Sequence, residues 1–252
     1  MKPLLWISYC GTDFCGFLVQ PNGRTVQATL QDAIEALFGH RYDVTGCSRT
    51  DSGVHAKRFC CTVEADMDSL SLPITRFANA LNAHLPDDLA VLSAQTVPND
   101  FHVRYCEHEK EYEYRIHNAS APDPLQIDRA LFVPYRLDVD AMRRAAAYYE
   151  GTHDFASFCA AGTDVSDTVR TVSAARIEQN GNDLSFFVRG DGFLYHMVRI
   201  MVGTLLEVGR GKRAPAQIPE ILEKKQRSAA GVTAPAHALY LHRLYYQDIE
   251  CP

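Results

Sequence analysis

The sequence predicts an α+β fold of two similar halves, with antiparallel or mixed sheets flanked by helices around a central cleft. Three observations point there. Short apolar or alternating runs of strand length are interleaved along the whole chain with longer segments whose apolar residues recur at helical spacing. Each half carries several such strands and two or more helices, as expected of sheets covered by helices. The turn Val97-Pro98-Asn99-Asp100 divides the chain into residues 1–98 and 99–252, and a cleft between two halves is a common place for a site.

The elements follow in order. Residues 4–9 are an apolar run of strand length. Over 25–38, Val26, Leu30, Ala33, Ile34 and Leu37 share a helical face. Residues 42–48 and 59–65 read as strands on either side of the turn Asp51-Ser52-Gly53. A second helix is expected over 73–83, with Pro73 in its first turn, followed by a strand over 89–96. In the second half, 111–117 alternates strongly and reads as a strand, and 139–149 reads as a helix stopped by Gly151. Residues 174–179 and 183–189 form a hairpin around Asn180-Gly181-Asn182. A long apolar helix over 193–208 is ended by Gly209. A shorter helix over 215–224 and a strand over 239–246 complete the chain.

Composition narrows the class. The 252 residues are 46% hydrophobic and 22% charged, ordinary values for a globular protein with a real core. No apolar stretch approaches the length of a membrane span. Residues 1–14 do not read as an export signal, because the apolar run is short and the polar segment Cys10-Gly11-Thr12-Asp13 follows at once. A cytoplasmic location is therefore expected. That setting, and the absence of any C-x-x-C pair, predicts that the eight cysteines are free and mostly buried. The net charge of −6 does not by itself suggest a nucleic-acid partner. Basic residues do concentrate locally: Arg104, His108 and Lys110 in mid-chain, and Arg199, Arg210, Lys212, Arg213, Lys224, Lys225 and Arg227 toward the end. They read either as solvated surface or as a lining for phosphates.

The segment most informative about chemistry is Gly46-Cys47-Ser48-Arg49-Thr50-Asp51-Ser52-Gly53-Val54-His55-Ala56. A strand runs into a tight polar turn and then resumes, and loops on a rigid scaffold are where chemistry is carried. Arg49 and Asp51 are two apart, so on a continued strand they share a face. A guanidinium there would keep the carboxylate ionised, and an ionised carboxylate in a cleft can act as a nucleophile. Taken alone, an R-x-D-S-G segment also fits a turn-capping aspartate paired with its neighbour.

The full segment closely resembles the signature of the tRNA pseudouridine synthase A family, G-R-T-D-S/A-G-V-H, from Arg49 through His55. The resemblance spans nearly the whole chain. It takes in Tyr9, Gly11, Thr12, Phe14, Gly16, Phe17 and Gln20, then Thr25-Val26-Gln27 and Leu30. It continues through Asn79-Ala80-Leu81-Asn82 with Leu85-Pro86 and Asp88, and Phe101-His102-Val103-Arg104. Tyr112 and Tyr114 follow, then His153-Asp154-Phe155 with Ser157-Phe158. Phe193, His196-Met197-Val198-Arg199 and Val202-Gly203 match further on, as does Thr233-Ala234-Pro235-Ala236 with Leu239-Tyr240-Leu241. Cys10, Leu18, Ser48 and Ala238 depart from the family pattern, which leaves the detail of RNA contact open.

The resemblance implies an isomerase that converts uridine to pseudouridine at positions 38, 39 and 40 of the tRNA anticodon stem-loop. The reaction needs no cofactor and no metal. It further implies that Asp51 adds covalently to C1′ of the ribose or to C6 of the base, with Arg49 and Arg199 as catalytic cations. Tyr112 would contact the target base, and His55, Arg104 and Lys110 would contribute to substrate binding. For His55, as for His102 and His196, a hydrogen-bonded core role is the alternative. Arg104, Lys110, Lys212 and Arg213 would meet phosphates. The expected partner is the tRNA anticodon stem-loop, with no membrane, and the expected assembly is a homodimer. The competing reading is a non-catalytic tRNA-binding protein on the same scaffold.

Overall fold

The computed structural model describes residues 1–252 apart from 107, 163, 164, 248 and 250. In chain order its elements are β1 (Lys2–Tyr9), α1 (Val26–Phe38), β2 (Val44–Gly46), β3 (His55–Val63), α2 (Phe77–Asn82), β4 (Leu89–Val97), β5 (His108–Asn118) and β6 (Leu131–Val133). There follow α3 (Val139–Ala147), β7 (Gly151–Asp154), β8 (Val169–Asn180), β9 (Asp183–Gly190), α4 (Met197–Gly209), α5 (Gln217–Lys224) and β10 (Leu239–Tyr246). The fold is α+β, built as two compact units. One comprises Met1–His108 with Tyr240–Pro252, the other Glu109–Leu239. The division thus falls beyond the turn at 97–100, and the end of the chain returns to the first unit. The reason is packing around Tyr246, whose hydroxyl donates to the Val103 carbonyl at 2.7 Å and whose ring lies 6.0 Å from that of Phe101. Residues 101–106 are thereby tied to the first unit.

In the first unit, β1 runs antiparallel between β3 and β4, with Leu4 opposite Thr62 and Gln95. β2 is antiparallel to β3, and β10 is parallel to it, with Tyr240 opposite His55. Leu4, Leu5, Trp6 and Ile7 are all buried, so both faces of β1 are covered. α1 begins at the Thr25 cap, whose hydroxyl accepts from the Ala28 amide at 3.3 Å. Its inward face is Val26, Leu30, Ala33 and Ile34. The helix expected over 73–83 is divided: Ile74–Arg76 is a 3-10 turn and only Phe77–Asn82 is α-helical. A bulge lies between β1 and β4 at Trp6/Ile7. There Asn82 satisfies the freed backbone of Val91, accepting from its N–H at 2.7 Å and donating to its carbonyl at 2.9 Å.

In the second unit, β9 lies antiparallel between β5 and β8, β7 edges β8, and β6 runs parallel to β5. The β8–β9 hairpin closes with Asn180 opposite Asp183, as the Asn-Gly-Asn run requires. α4 starts at Met197, four residues later than the apolar pattern suggests, because His196 adopts a left-handed φ of 58° and interrupts the helix there. Gly209 lies inside the helix, where its lack of a side chain admits Met142. Among the described residues no helix is long and apolar enough to cross a membrane.

α4 is buried on almost every side, so its polar groups are all engaged. The Thr204 hydroxyl donates to the Ile200 carbonyl and accepts from the Gly231 amide, both at 2.9 Å. The Tyr149 hydroxyl donates to the Met201 carbonyl at 3.3 Å. Segment 231–232 lies directly on the helix, and a Cβ on Gly203 would sit 1.8 Å from the Val232 carbonyl oxygen. Gly203→Ala is therefore expected to lower the unfolding free energy by about 1–3 kcal/mol in urea denaturation. A change below about 0.5 kcal/mol would show that the contact can relax.

A second test concerns pH. The Lys225 ammonium, 2.9 Å from Asp154, the Thr168 hydroxyl and the Ala156 amide together hold the Asp154 carboxyl below the usual carboxylate range. A carboxyl with a depressed folded pKa stabilises above its unfolded value of 3.8 and loses that contribution as pH falls through the folded value. Lys225→Met is expected to shrink the acid-side loss of stability below about pH 4, read from Tm against pH. An unchanged acid limb would contradict the assignment.

Candidate active site

Asp51 sits on the segment 47–54 that links β2 to β3, and that segment is held by residues 10–17. The Tyr9 hydroxyl is 2.8 Å from the Thr50 hydroxyl in a buried contact. The Phe17 amide donates to the Thr50 carbonyl at 3.2 Å. The Phe14 carbonyl accepts from the Gly53 amide and from the Ser52 hydroxyl, each at 3.3 Å. The turn closes on itself through the Val54 amide and the Asp51 carbonyl at 3.2 Å. These backbone contacts need glycine. A Cβ on Gly16, whose φ is +85°, would lie 2.6 Å from the Thr50 oxygen, and one on Gly11 would lie 2.0 Å from the Val54 oxygen.

The holding segment is itself fixed. The Cys10 amide donates to the Asp88 carbonyl at 2.9 Å. Arg24 grips the Asp88 carboxylate through both terminal nitrogens at 2.8 and 2.6 Å, with its guanidinium 4.1 Å above the Phe14 ring. Such a two-point Arg–carboxylate clamp restricts both side chains. The result is a half-buried Asp51 between buried Thr50 and Val54, with Arg49 exposed beside it. β2 ends at Gly46, so Arg49 and Asp51 do not share a strand face as a longer strand would imply. The backbone there is bound to residues 10–17 instead of to a ladder.

The other residues singled out by sequence fall into place unit by unit. His55 begins β3 and is only 2% exposed. Its Nδ1 accepts from the Gly11 amide at 2.9 Å, and its ring stacks on Tyr240 with centroids 4.6 Å apart. Both contacts are ones that a hydrogen-bonded core histidine makes. Arg104 donates from Nη2 to the Gly46 carbonyl at 3.3 Å, which brings it to the start of the Asp51 segment. In the second unit, Lys110 and Tyr112 lie two apart on β5. Tyr112 is 8% exposed and meets Phe193 edge-on at 5.2 Å. Arg199, in the first turn of α4, donates from Nε to the Ala234 carbonyl at 2.7 Å, and its own carbonyl accepts from the Ala234 amide at 3.1 Å. Tyr114 is fully buried and donates to the Pro235 carbonyl at 3.0 Å. Burial raises its hydroxyl pKa, and the positive charge of Arg199 opposes that rise.

Several basic residues are engaged within the fold. Arg213 pairs with Glu207, Lys225 with Asp154, and Arg210 lies 4.2 Å over the Tyr135 ring. Each of three histidines meets a tyrosine ring within its own unit: His55 stacks on Tyr240, His102 lies tilted against Tyr105, and His196 stacks on Tyr195. Among the described residues no group of three or more His, Cys, Asp or Glu is placed to hold a metal ion. All eight cysteines are free thiols, and burial pushes Cys60 and Cys61 well up. The holding roles of Tyr9, Gly11 and Gly16 were not assigned from the sequence. The available signal was the pair of glycines around Phe14, ahead of the first helix.

Comparison with known proteins adds an independent line. A family model described as tRNA pseudouridine synthase matches residues 6–106 and 145–247. The chain is 47% identical over 236 residues to "tRNA pseudouridine synthase A" of Halalkalibacterium halodurans, covering 93% of this chain and 89% of that protein. It is 44% identical to the protein of the same name from Acetivibrio thermocellus, covering 96% and 98%, and 44% identical to that from Bacillus pumilus, covering 98% and 100%. Among solved structures, a chain of a Cbf5-Nop10-Gar1 complex aligns with a TM-score of 0.37 and 12% identity. That alignment covers 98% of this chain but only 60% of the neighbour, less than two thirds of its length, and is too distant to bear on function. The curated relatives match over nearly the whole sequence, the residues matched by the family model include the Asp51 segment, and the chain belongs to the tRNA pseudouridine synthase family.

Proposed function

We propose that this protein converts uridine to pseudouridine in tRNA, at positions 38, 39 and 40 of the anticodon stem-loop, with Asp51 as the nucleophile. The observation that carries the reading is the half-buried carboxylate of Asp51 on a loop pinned at both Thr50 and Gly53. A nucleophile must meet its target atom in a fixed geometry, and a tied loop supplies that without reorganisation.

The reaction breaks the N1–C1′ bond, turns the uracil, forms a C5–C1′ bond and moves a proton from C5, so that substrate and product have the same atoms. The Asp51 carboxylate would hold the nucleotide covalently, through C1′ or C6, while the base turns. Arg49 would orient the carboxylate, and Arg199 would supply a second positive charge to the reaction. Tyr112 would meet the target base, its hydroxyl serving the C5 proton. A uridine in a stem must leave the stack to react, at a cost of a few kcal/mol. Arg104 and Lys110, holding phosphates, would help offset that cost. In this reading His55 positions the loop, since its ring accepts from Gly11 and stacks on Tyr240. We propose a homodimer in the cytoplasm as the working form.

The test is tRNA modification mapping by carbodiimide labelling. Wild-type protein is expected to produce pseudouridine at the anticodon stem-loop. Asp51→Ala is expected to abolish it, with tRNA binding retained. Undiminished conversion by Asp51→Ala would rule out the nucleophile, and binding without conversion by the wild type would favour a non-catalytic tRNA-binding protein.

A further inference from the structure

We propose that Tyr105, lying against His102, is a stacking platform for an unpaired base of the RNA substrate, beside the segment that carries Asp51. This inference rests on the RNA-modifying reading above. Turn 102–106 sends its side chains two ways. Val103 is fully buried, and its carbonyl accepts from Tyr246 at 2.7 Å. Arg104 reaches inward to the Gly46 carbonyl, where β2 ends and the Asp51 segment begins. His102 and Tyr105 lie outside, both exposed.

The outer pair is built, not loose. The Tyr105 and Cys106 amides both donate to the His102 carbonyl, at 3.1 and 3.0 Å, and His102 Nδ1 accepts from the Arg104 amide at 3.2 Å. The two rings rest 4.3 Å apart at 34°. Tyr105 is nonetheless 78% exposed, the most exposed aromatic side chain among the described residues. A large ring held in water by a turn anchored through Val103 and Arg104 adds nothing to the core. A nucleobase would cover its face, and base–aromatic stacking tolerates any base. Unpaired RNA loops offer such bases. The adjacent Arg104 cation favours a polyanion over an apolar protein partner. Arg104, next to Tyr105, meets the carbonyl of Gly46, from which the chain runs on to Asp51.

Tyr105→Ala is expected to weaken binding of an anticodon stem-loop RNA, and to raise KM, on the order of ten-fold. Its kcat is expected to remain, and so is the slope of log affinity against log salt, because the ring carries no charge. Tyr105→Phe is expected to match the wild type. Tyr105→Trp places an indole on the platform, and its emission is expected to be quenched by the stem-loop. The single native tryptophan, Trp6, is 1% exposed and gives a constant background. Equal binding by Tyr105→Ala and wild type, or an unquenched Tyr105→Trp, would overturn the proposal. So would a loss accompanied by a shallower salt slope, which would assign the effect to phosphate contacts. A wild type that makes no pseudouridine would bring down the underlying reading. A wild type that converts tRNA beside an unaffected Tyr105→Ala removes the platform alone.

Discussion

The grip on Thr50 is the constraint from which the rest of the first unit follows. Its hydroxyl meets Tyr9 and its carbonyl meets the Phe17 amide, so the residue before Asp51 is fixed by both side chain and backbone. That grip requires segment 10–17 to approach backbone to backbone, which Gly11 and Gly16 permit. It also requires that segment to be stationary, which Arg24 and Asp88 provide. Of the four departures from the family pattern, Cys10 contributes through its backbone amide, which any non-proline residue would offer. The scaffold of the loop therefore survives that departure.

Charge illustrates why totals mislead. A chain of net charge −6 would repel RNA if its charge were uniform, yet recognition depends on local distribution. Arg213 and Lys225, which sequence grouped with phosphate contacts or a basic cluster, are matched to Glu207 and Asp154. Partly exposed pairs of this kind add little to stability.

Much of the fold was legible because its signals are local. The hairpin at 180–183 and the apolar face of α1 depend on neighbouring residues and appear as expected. The long helix was misplaced at its start because nothing in the run 193–196 announces that His196 takes a left-handed conformation. The strands Leu131–Val133 and Gly151–Asp154 escaped notice because both are short and owe their conformation to pairing with β5 and β8. At the site, the motif residues stood out by resemblance, and the burial of His55 and the inward turn of Arg104 did not. Those depend on what Gly11, Tyr240 and Gly46 contribute from distant parts of the chain. The return of the last strand to the first unit is hidden for the same reason: the contact of Tyr246 with Val103 spans most of the sequence.

The claim that a pinned loop makes Asp51 effective is tested most directly by the kcat for pseudouridine formation of Tyr9→Phe. This change removes one buried oxygen that touches Thr50 and leaves the ring in place. If the loop's fixed geometry matters, kcat falls about ten-fold or more while unfolding free energy drops by only about 1 kcal/mol. An unchanged kcat with the same small loss of stability would contradict the account.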